Sequence, residues 1–271
     1  MGSGMSVFAG KVIVLTGASE GIGRAFALAL ARQRPKLVLA ARNRDRPESL
    51  ATECRALGAE AHVVPTDVTD ADACKALVDE SVARCGALDV LVNNAGGTMW
   101  TRLDEIEDLS IFERLMRLNY LGSVYPTYHA LPHLKRAQGR IVAVASMAGL
   151  IGVPTRTGYS AAKHAVVGFF DSLRVELLDS GVSVSVICPD FVVSEIHKRA
   201  LGSDGQPLGA NPMADSKIMT AEACAALMVT AIEQRQRLLI TSARGKQARW
   251  LKLLSPGSVD KLAAAAISKK Q

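Results

Sequence analysis

An α/β fold, with a parallel sheet covered by helices on both faces, is the class that this 271-residue sequence predicts. Three observations carry the prediction. Short runs rich in Val, Ile and Leu recur along the chain without polar alternation, as strands buried on both faces require. Helix-length segments separate these runs, so each strand is followed by a crossover that brings the next strand in parallel. The first run, 11–16, passes directly into a glycine-rich turn, Gly17-Ala18-Ser19-Glu20-Gly21-Ile22-Gly23, and then into a helix over 24–34.

The remaining elements follow in order. After Pro35 the run 37–41 predicts a second strand, 47–57 a helix, and 60–65 a strand leading into Asp67-Val68. A helix over 70–85 precedes the strand 88–92, which ends in Asn93-Asn94-Ala95-Gly96. Residues 109–135 predict one long helix carrying Asn119, with Pro126 and Pro132 kinking or breaking it. The strand 140–145 ends at Ser146, a helix runs from Tyr159 to about Ser180, and 182–188 is a strand. Residues 189–217 are rich in Gly, Pro, Ser and Asp and lie past a strand end, as a lid over a ligand does. Thr220 caps a helix over 221–234, and 237–241 reads as the last strand.

Composition bounds the function. Hydrophobic residues make up 49% and charged residues 21%, so a sizeable core is available; with aromatics at 4%, Ala, Val, Leu and Ile must build it. No linker or shift in composition interrupts the pattern before about residue 189, which fits a single domain. The net charge of +6 is dispersed; it suits an anionic small ligand and argues against nucleic acid as a partner. Five cysteines (Cys54, Cys74, Cys85, Cys188, Cys224), without a Cys-x-x-Cys pair, read as reduced thiols in a cytoplasmic protein. The scattered histidines give no metal site. No apolar run approaches the length that spans a bilayer, and no signal peptide is recognised. Residues 1–4 before Met5 read as an appended leader and are set aside.

Two patterns carry chemistry. A glycine-rich turn between strand and helix lets backbone N–H groups approach a pyrophosphate, which the helix N-terminus also attracts. The second strand ends Ala40-Ala41-Arg42, where an acid would select a ribose 2′-hydroxyl; an Arg suits a 2′-phosphate, so NADP(H) is the expected cofactor. Tyr159 and Lys163, at i and i+4, share one helix face, with Ser146 delivered by the preceding strand. An ammonium beside the phenol is expected to lower the Tyr159 pKa from its usual value of about 10, fitting it for general acid–base work.

Taken together, Thr16-Gly17-x-x-x-Gly21-x-Gly23, Asp67, Asn93-Asn94-Ala95-Gly96, Asn119, Ser146 and Tyr159-x-x-x-Lys163 occur in the order and spacing of the short-chain dehydrogenase/reductase family. The match spans about residues 10–241 and resembles the branch of hydroxysteroid-dehydrogenase-like ketone reductases. The resemblance implies one doubly wound Rossmann-type domain over 10–241, with 1–9 as a tail, 189–217 as a substrate lid and 242–271 as a helical extension. It implies pyrophosphate binding by Gly17, Ser19, Glu20, Gly21, Ile22 and Gly23, with Arg42 and Asn43 at the adenosine ribose. Asp67 and Val68 would flank the adenine; Asn93, Ala95 and Gly96 would line the cleft; Pro189 and Ser194 would lie near the nicotinamide carboxamide. For catalysis it implies Ser146 binding the substrate oxygen, Tyr159 exchanging its proton, Lys163 holding the nicotinamide ribose and Asn119 supporting a relay water.

One departure stands out. The family carries Pro-Gly after the sixth strand, and here the residues are Pro189-Asp190-Phe191, which can remove a positive-φ conformation and place a carboxylate near the ring. A dinucleotide sensor that has lost turnover is therefore an alternative, and a sugar-nucleotide epimerase or dehydratase also uses a Tyr-x-x-x-Lys pair. The expected pocket walls are Thr98-Met99-Trp100, the segment Met147 to Thr157 and the 189–217 lid; Met99, Trp100, Leu150, Ile151, Val153 and Phe191 give them an apolar lining, suited to a bulky hydrophobic ketone or alcohol. In the extension, Arg244, Lys246, Arg249 and Lys252 interleave with Trp250, Leu251, Leu253 and Leu254. That face suits a helix over the substrate mouth or against a partner subunit, and more weakly a helix at a membrane surface. A homo-oligomer is expected from the resemblance.

Overall fold

The apolar runs form seven strands in the computed structural model, which describes residues 6–210 and 218–268, apart from the side chains of 266–268. They are β1 (Val12–Thr16), β2 (Lys36–Ala41), β3 (Glu60–Pro65), β4 (Val90–Asn93), β5 (Arg140–Val144), β6 (Ser183–Cys188) and β7 (Leu238–Ile240). All pair in parallel, in the order β3-β2-β1-β4-β5-β6-β7. The helices are α1 (Gly21–Ala31), α2 (Asp45–Ala56), α3 (Ala71–Cys85), α4 (Ser110–Met116), α5 (Gly122–Ala137), α6 (Thr157–Glu176), α7 (Ala221–Glu233), α8 (Ala243–Leu254) and α9 (Pro256–Ser268).

Alternate side chains of each strand feed opposite layers. Ile13 and Leu15 of β1 pack with Phe26 and Leu30 of α1, Leu50 of α2 and Met228 and Ile232 of α7. Val12 and Val14 face the other way, with Leu77 of α3, Leu134 of α5 and Phe170 of α6. Burying both faces is what the unbroken apolar runs predicted. The sheet order turns between β1 and β4, so the loops that follow these two strands diverge and open a crevice at their C-terminal ends.

The predicted helix over 109–135 requires a correction. Its prolines do not break it, because Pro126 and Pro132 both lie inside the continuous α5. The irregularity falls earlier, in a widened π turn, Arg117–Leu121, that joins α4 to α5 and carries Asn119. Ser123 Oγ donates to the Asn119 carbonyl (2.8 Å) and Thr127 Oγ1 to that of Ser123 (2.7 Å), supplying bonds beside a proline that has no N–H to give.

Residues 189–210 form an irregular cover, tied down by bridges from Leu201 to Met99 and from Val192 to Met219. The rest of the predicted lid, 211–217, lies outside the described residues, as does the leader. All five cysteines are free and buried. At the β3 edge, Glu60, His62 and Cys85 bring potential ligand atoms within 4.8 Å of one another, a grouping their sequence separation conceals. No helix of the described residues is long and apolar enough to cross a membrane.

Candidate active site

The crevice deepens into one cavity of about 1400 Å³ that reaches from the glycine turn to the C-terminal helices. Its floor is set by close backbone approach. Gly17 has φ +65°, and a Cβ there would lie 2.7 Å from Ala95 Cα. A Cβ at Gly23 would lie 2.3 Å from the Gly17 carbonyl oxygen, so Gly23 serves packing beneath the turn and does not line the cavity. Thr16 Oγ1 accepts from the N–H groups of Asn94 (3.0 Å) and Ala95 (3.1 Å), locking the loops after β1 and β4 together. The Asn94 amide donates to the carbonyls of Thr16 (3.1 Å) and Gly17 (3.0 Å).

This floor fits a pyrophosphate. Gly17, Ser19, Glu20, Gly21 and Ile22 line the cavity, and α1 begins there without a side-chain cap. The N-cap residue, Glu20, instead directs its carboxylate to Arg46 (2.7 Å) and Arg199, so no side chain caps the first-turn N–H groups. At the far end the walls are Ala40, Ala41, Arg42, Thr66, Asp67 and Val68. Asp67 accepts from the N–H (2.9 Å) and hydroxyl (2.8 Å) of Thr69, which fixes the turn after β3. Asn43 is exposed and outside the lining. Asn93 is buried beneath it, with its amide donating to Thr127 Oγ1 (2.9 Å) and its Oδ1 lacking a partner.

Ser146, Tyr159 and Lys163 converge at the middle of the cavity. Ser146 leaves β5 in an extended conformation and its Oγ accepts from Ala148 N–H (3.1 Å), which aims the hydroxyl. The Tyr159 phenol is hydrogen-bonded to Ser146. Lys163, on the next turn of α6, is 4% exposed and donates from Nζ to the Val144 carbonyl (2.9 Å). Its ammonium lies 5.8 Å from the Tyr159 ring centroid.

The expected electrostatics need revision. Burial dominates and pushes the Tyr159 phenol above its ordinary pKa; the Ser146 hydrogen bond and then the Arg156 charge pull it partly back. The same dry environment draws Lys163 from 10.5 down to about 8. Lys163 is therefore not the charge that offsets the burial of Tyr159; Arg156 is. Asn119 lies behind this group, fully buried and outside the lining, with its amide donating to the carbonyls of Gly97 (3.1 Å) and Leu115 (2.9 Å). A Cβ on Gly96 would sit 2.7 Å from Asn119 Oδ1 and 3.5 Å from Lys163 Nζ, so the two side chains meet across a glycine that must stay bare.

Asp190 does not hang loose over the cavity. It is absent from the positive-φ residues, so replacing a glycine there costs no backbone strain. Its carboxylate accepts from Ser242 Oγ (2.6 Å), from Arg244 Nε (2.6 Å) and Nη2 (2.9 Å), and from Phe191 N–H (2.9 Å). Burial raises its pKa, but the bonds from Arg244 and Ser242 outweigh burial and hold it below the usual carboxylate value. Ser242 in turn caps α8, accepting from Gly245 N–H (3.0 Å). Asp190 thus latches the extension to the end of β6, and Trp250, Leu251, Leu254, Val259 and Leu262 of α8 and α9 wall the mouth.

Two features escaped the sequence reading. One is the Asp190–Arg244 pair, separated by 54 residues. The other is the charge that Arg156 brings: the segment 147–157 was expected as a pocket wall, but not that this residue lies buried at 6% exposure beside Tyr159.

Comparison with known proteins places this geometry in context. Residues 11–203 match the family described as short chain dehydrogenase. An 11-beta-hydroxysteroid dehydrogenase of Pinus massoniana is 40% identical over 201 residues, which is 73% of this chain and 56% of that protein. This chain thus spans little more than half the length of that relative. An 11-beta-hydroxysteroid dehydrogenase A of Sesamum indicum is 35% identical over 92% of this chain and 73% of its own. Among solved structures, a short chain dehydrogenase/reductase from Burkholderia phymatum in complex with NAD superposes with a TM-score of 0.83. It is 29% identical and the alignment covers 93% of this chain and 96% of that one. A family match over most of the chain, joined to the sheet order and the cavity at its switch point, identifies this protein as a member of the short-chain dehydrogenase family of oxidoreductases.

Proposed function

We propose that this protein is an NADP(H)-dependent oxidoreductase that interconverts a hydrophobic ketone and its secondary alcohol. The observation that carries the reading is the bonded Ser146–Tyr159 pair, which opens into the same cavity as the glycine turn. When bound, the nicotinamide supplies or accepts the hydride. Ser146 donates a hydrogen bond to the substrate oxygen and orients the carbonyl carbon. Tyr159 gives its phenolic proton to that oxygen in reduction and takes it back in oxidation, so hydride and proton together convert C=O to CH–OH. Lys163 holds the cofactor ribose, and Asn119 fixes the loop carrying Gly96 and Gly97 beside the proton path.

Gly17, Ser19, Glu20, Gly21 and Ile22 bind the pyrophosphate, Asp67 and Val68 the adenine, and Ala95, Gly96, Pro189 and Ser194 the nicotinamide half. The relative from Burkholderia phymatum holds NAD. In this chain β2 ends at Ala40-Ala41 with Arg42 next and Arg44 two residues on, which supports the phosphorylated cofactor. The buried free cysteines are in keeping with a reducing, cytoplasmic setting, and assembly into a homo-oligomer follows from the resemblance alone. Because the Asp190 carboxylate is fully engaged, the argument for a sensor without turnover loses its support. The test is NADPH oxidation followed by absorbance against a panel of apolar ketones. Turnover that depends on Tyr159 supports the reading, and no turnover across the panel refutes it.

A further inference from the structure

Away from the cavity, the β3 edge of the sheet gathers a second set of chemistry-bearing side chains. The residues of this edge strand alternate between the two layers. Ala61 and Val63 pack in the layer of α1 and α2, while Val64 packs in the other layer with Leu77, Val78 and Cys85 of α3. Glu60 and His62 share the face of Val64 by their spacing, which turns them toward α3. Cys85 is the last residue of that helix. Gly86 ends it at φ +82°, with its N–H donating to the Val82 carbonyl (2.8 Å), and buried Leu88 anchors the chain beyond. The place of Cys85 is thus set by the end of α3, and β3 brings the other two side chains to it.

Ligand atoms of all three residues lie within 4.8 Å of one another, and among the described residues no other three His, Cys, Asp or Glu side chains come this close. Glu60 Oε1 is 2.9 Å from His62 Nε2, and Glu60 Oε2 is 3.7 Å from Lys36 Nζ. Charge pairing explains the contacts of Glu60 with His62 and Lys36 but not the thiol. Burial chiefly, and then the Glu60 charge, hold Cys85 above its ordinary pKa, with Lys36 and Arg84 offsetting part of this. Carboxylate and thiol therefore gain nothing from each other directly. As a donor set they are complementary: a carboxylate oxygen, an imidazole nitrogen and a sulfur are the ligands that zinc takes.

We propose that Glu60, His62 and Cys85 bind a zinc ion at the β3 edge, with water as the fourth ligand. Oxygen and nitrogen each give a lone pair to the metal, and the Cys85 S–H proton leaves to solvent as the zinc–sulfur bond forms. Two anionic ligands balance the dication, while Lys36 keeps the second oxygen of Glu60. Bonds of about 2.0–2.3 Å at tetrahedral angles set ligand atoms about 3.3–3.5 Å apart, so no pair has to close by more than about 1.5 Å. Side-chain exposures of 46% for Glu60 and 28% for His62 leave room for that movement. The ion staples the end of α3 to a sheet edge that has no neighbouring strand. None of the three residues lines the cavity, so the site serves stability and stands independently of the ketone-reductase reading.

The test uses the full chain, reduced and stripped with a chelator, titrated with Zn²⁺ by calorimetry and with Co²⁺ by absorbance. One zinc per chain is expected to bind and to raise Tm by about 3–8 °C at a free concentration of about 100 Kd. The Co²⁺ form should show a sulfur-to-metal charge-transfer band in the near ultraviolet. Glu60→Gln and His62→Ala should each weaken Zn²⁺ by at least about tenfold, and Cys85→Ser should lose the band. No saturable Zn²⁺ binding, binding unaltered in His62→Ala, or a Co²⁺ spectrum without the sulfur band overturns the proposal. Should Cys85→Ser not fold, alkylation of Cys85 by iodoacetamide, read by mass spectrometry, decides. Zinc that slows alkylation in the wild type and not in His62→Ala supports the site, and an equal rate with and without zinc overturns it.

Discussion

Replacing Lys163 by Met is expected to stabilise the protein at neutral pH while abolishing turnover. Lys163 is 4% exposed, and burial lowers its pKa from 10.5 to about 8. Each pKa unit is worth about 1.4 kcal/mol, so holding the ammonium inside costs the folded state about 3 kcal/mol below pH 8. The hydrogen bond from Nζ to the Val144 carbonyl, lost in the variant, offsets about 1–2 kcal/mol of this. The net gain for Lys163→Met is then about 1–2 kcal/mol at pH 7. The sign with pH follows from proton binding. Between about 8 and 10.5 the unfolded chain holds a proton on Lys163 that the folded chain has released, so this residue's contribution rises with pH and its penalty vanishes near 10.5. The buried thiols act oppositely: burial holds Cys74, Cys188 and Cys224 up to about 12, so ionisation in the unfolded chain destabilises the fold in alkali. The Cys74 and Cys224 terms are common to both proteins and cancel in their difference; the Lys163 charge lowers Cys188, so removing it leaves that thiol higher still and closes the gap in the same direction. Urea unfolding of the two proteins, followed by circular dichroism at pH 7 and again near pH 10, measures the gap. The gap should close toward alkaline pH; a variant less stable than wild type at pH 7, or a gap that widens with pH, would refute the reasoning.

Four further outcomes follow. Tyr159→Phe should lower ketone reduction by about 10²–10⁴-fold with NADPH binding by calorimetry retained. Since burial raises the Tyr159 pKa, reduction in the wild type should stay level through neutral pH while alcohol oxidation climbs in alkali, and an oxidation rate already flat at neutral pH would contradict it. Arg42→Ala should reduce the NADPH-over-NADH preference in kcat/KM by about tenfold or more, the worth of a charged contact to a phosphate; an unaltered preference would remove Arg42 from cofactor selection. Asp190→Ala should cost about 1–2 kcal/mol, less than a fully buried pair because the Arg244 side chain is 64% exposed, and should speed proteolysis between residues 242 and 255. Unchanged proteolysis would show that α8 is held by other contacts.

The sheet was legible because its strands are buried on both faces and so carry no polar interruptions; 60–65 was predicted to the residue as β3. The helix around Asn119 was misread because proline is a conspicuous sequence signal and a widened turn is not. Pro126 and Pro132 are accommodated within α5, whereas the turn at Arg117–Leu121 has no compositional mark. The site was legible as a set of motifs but not as an electrostatic environment. The i, i+4 spacing of Tyr159 and Lys163 correctly set them on one face; it could not reveal how dry that face is, and dryness decides both pKa directions. Arg156 fell within the segment 147–157 expected to wall the pocket, but its burial and its charge beside Tyr159 were not legible, since they depend on Trp100 and Phe191 arriving from distant parts of the chain.

Asp190 shows how a departure from a family pattern can be read physically. A carboxylate beside the cofactor floor would disfavour an anionic ligand if it were loose, and would be expensive to bury unpaired. Here Arg244 and Ser242 neutralise and orient it, and both belong to the segment that starts α8. The acid therefore makes the end of β6 dependent on the extension. The same loop carries Phe191, which stacks on Arg156 and Arg244 alike. A chain of contacts thus runs from α8 through Asp190 and Phe191 to Arg156, and from there to the charge felt by Tyr159. On this reasoning the extension does more than roof the mouth: loosening Asp190 should shift the pH dependence of alcohol oxidation, which Tyr159 sets, as well as the stability of α8. Asp190→Ala that frees α8 to proteolysis yet leaves that pH dependence unchanged would separate the two and confine the latch to a structural role.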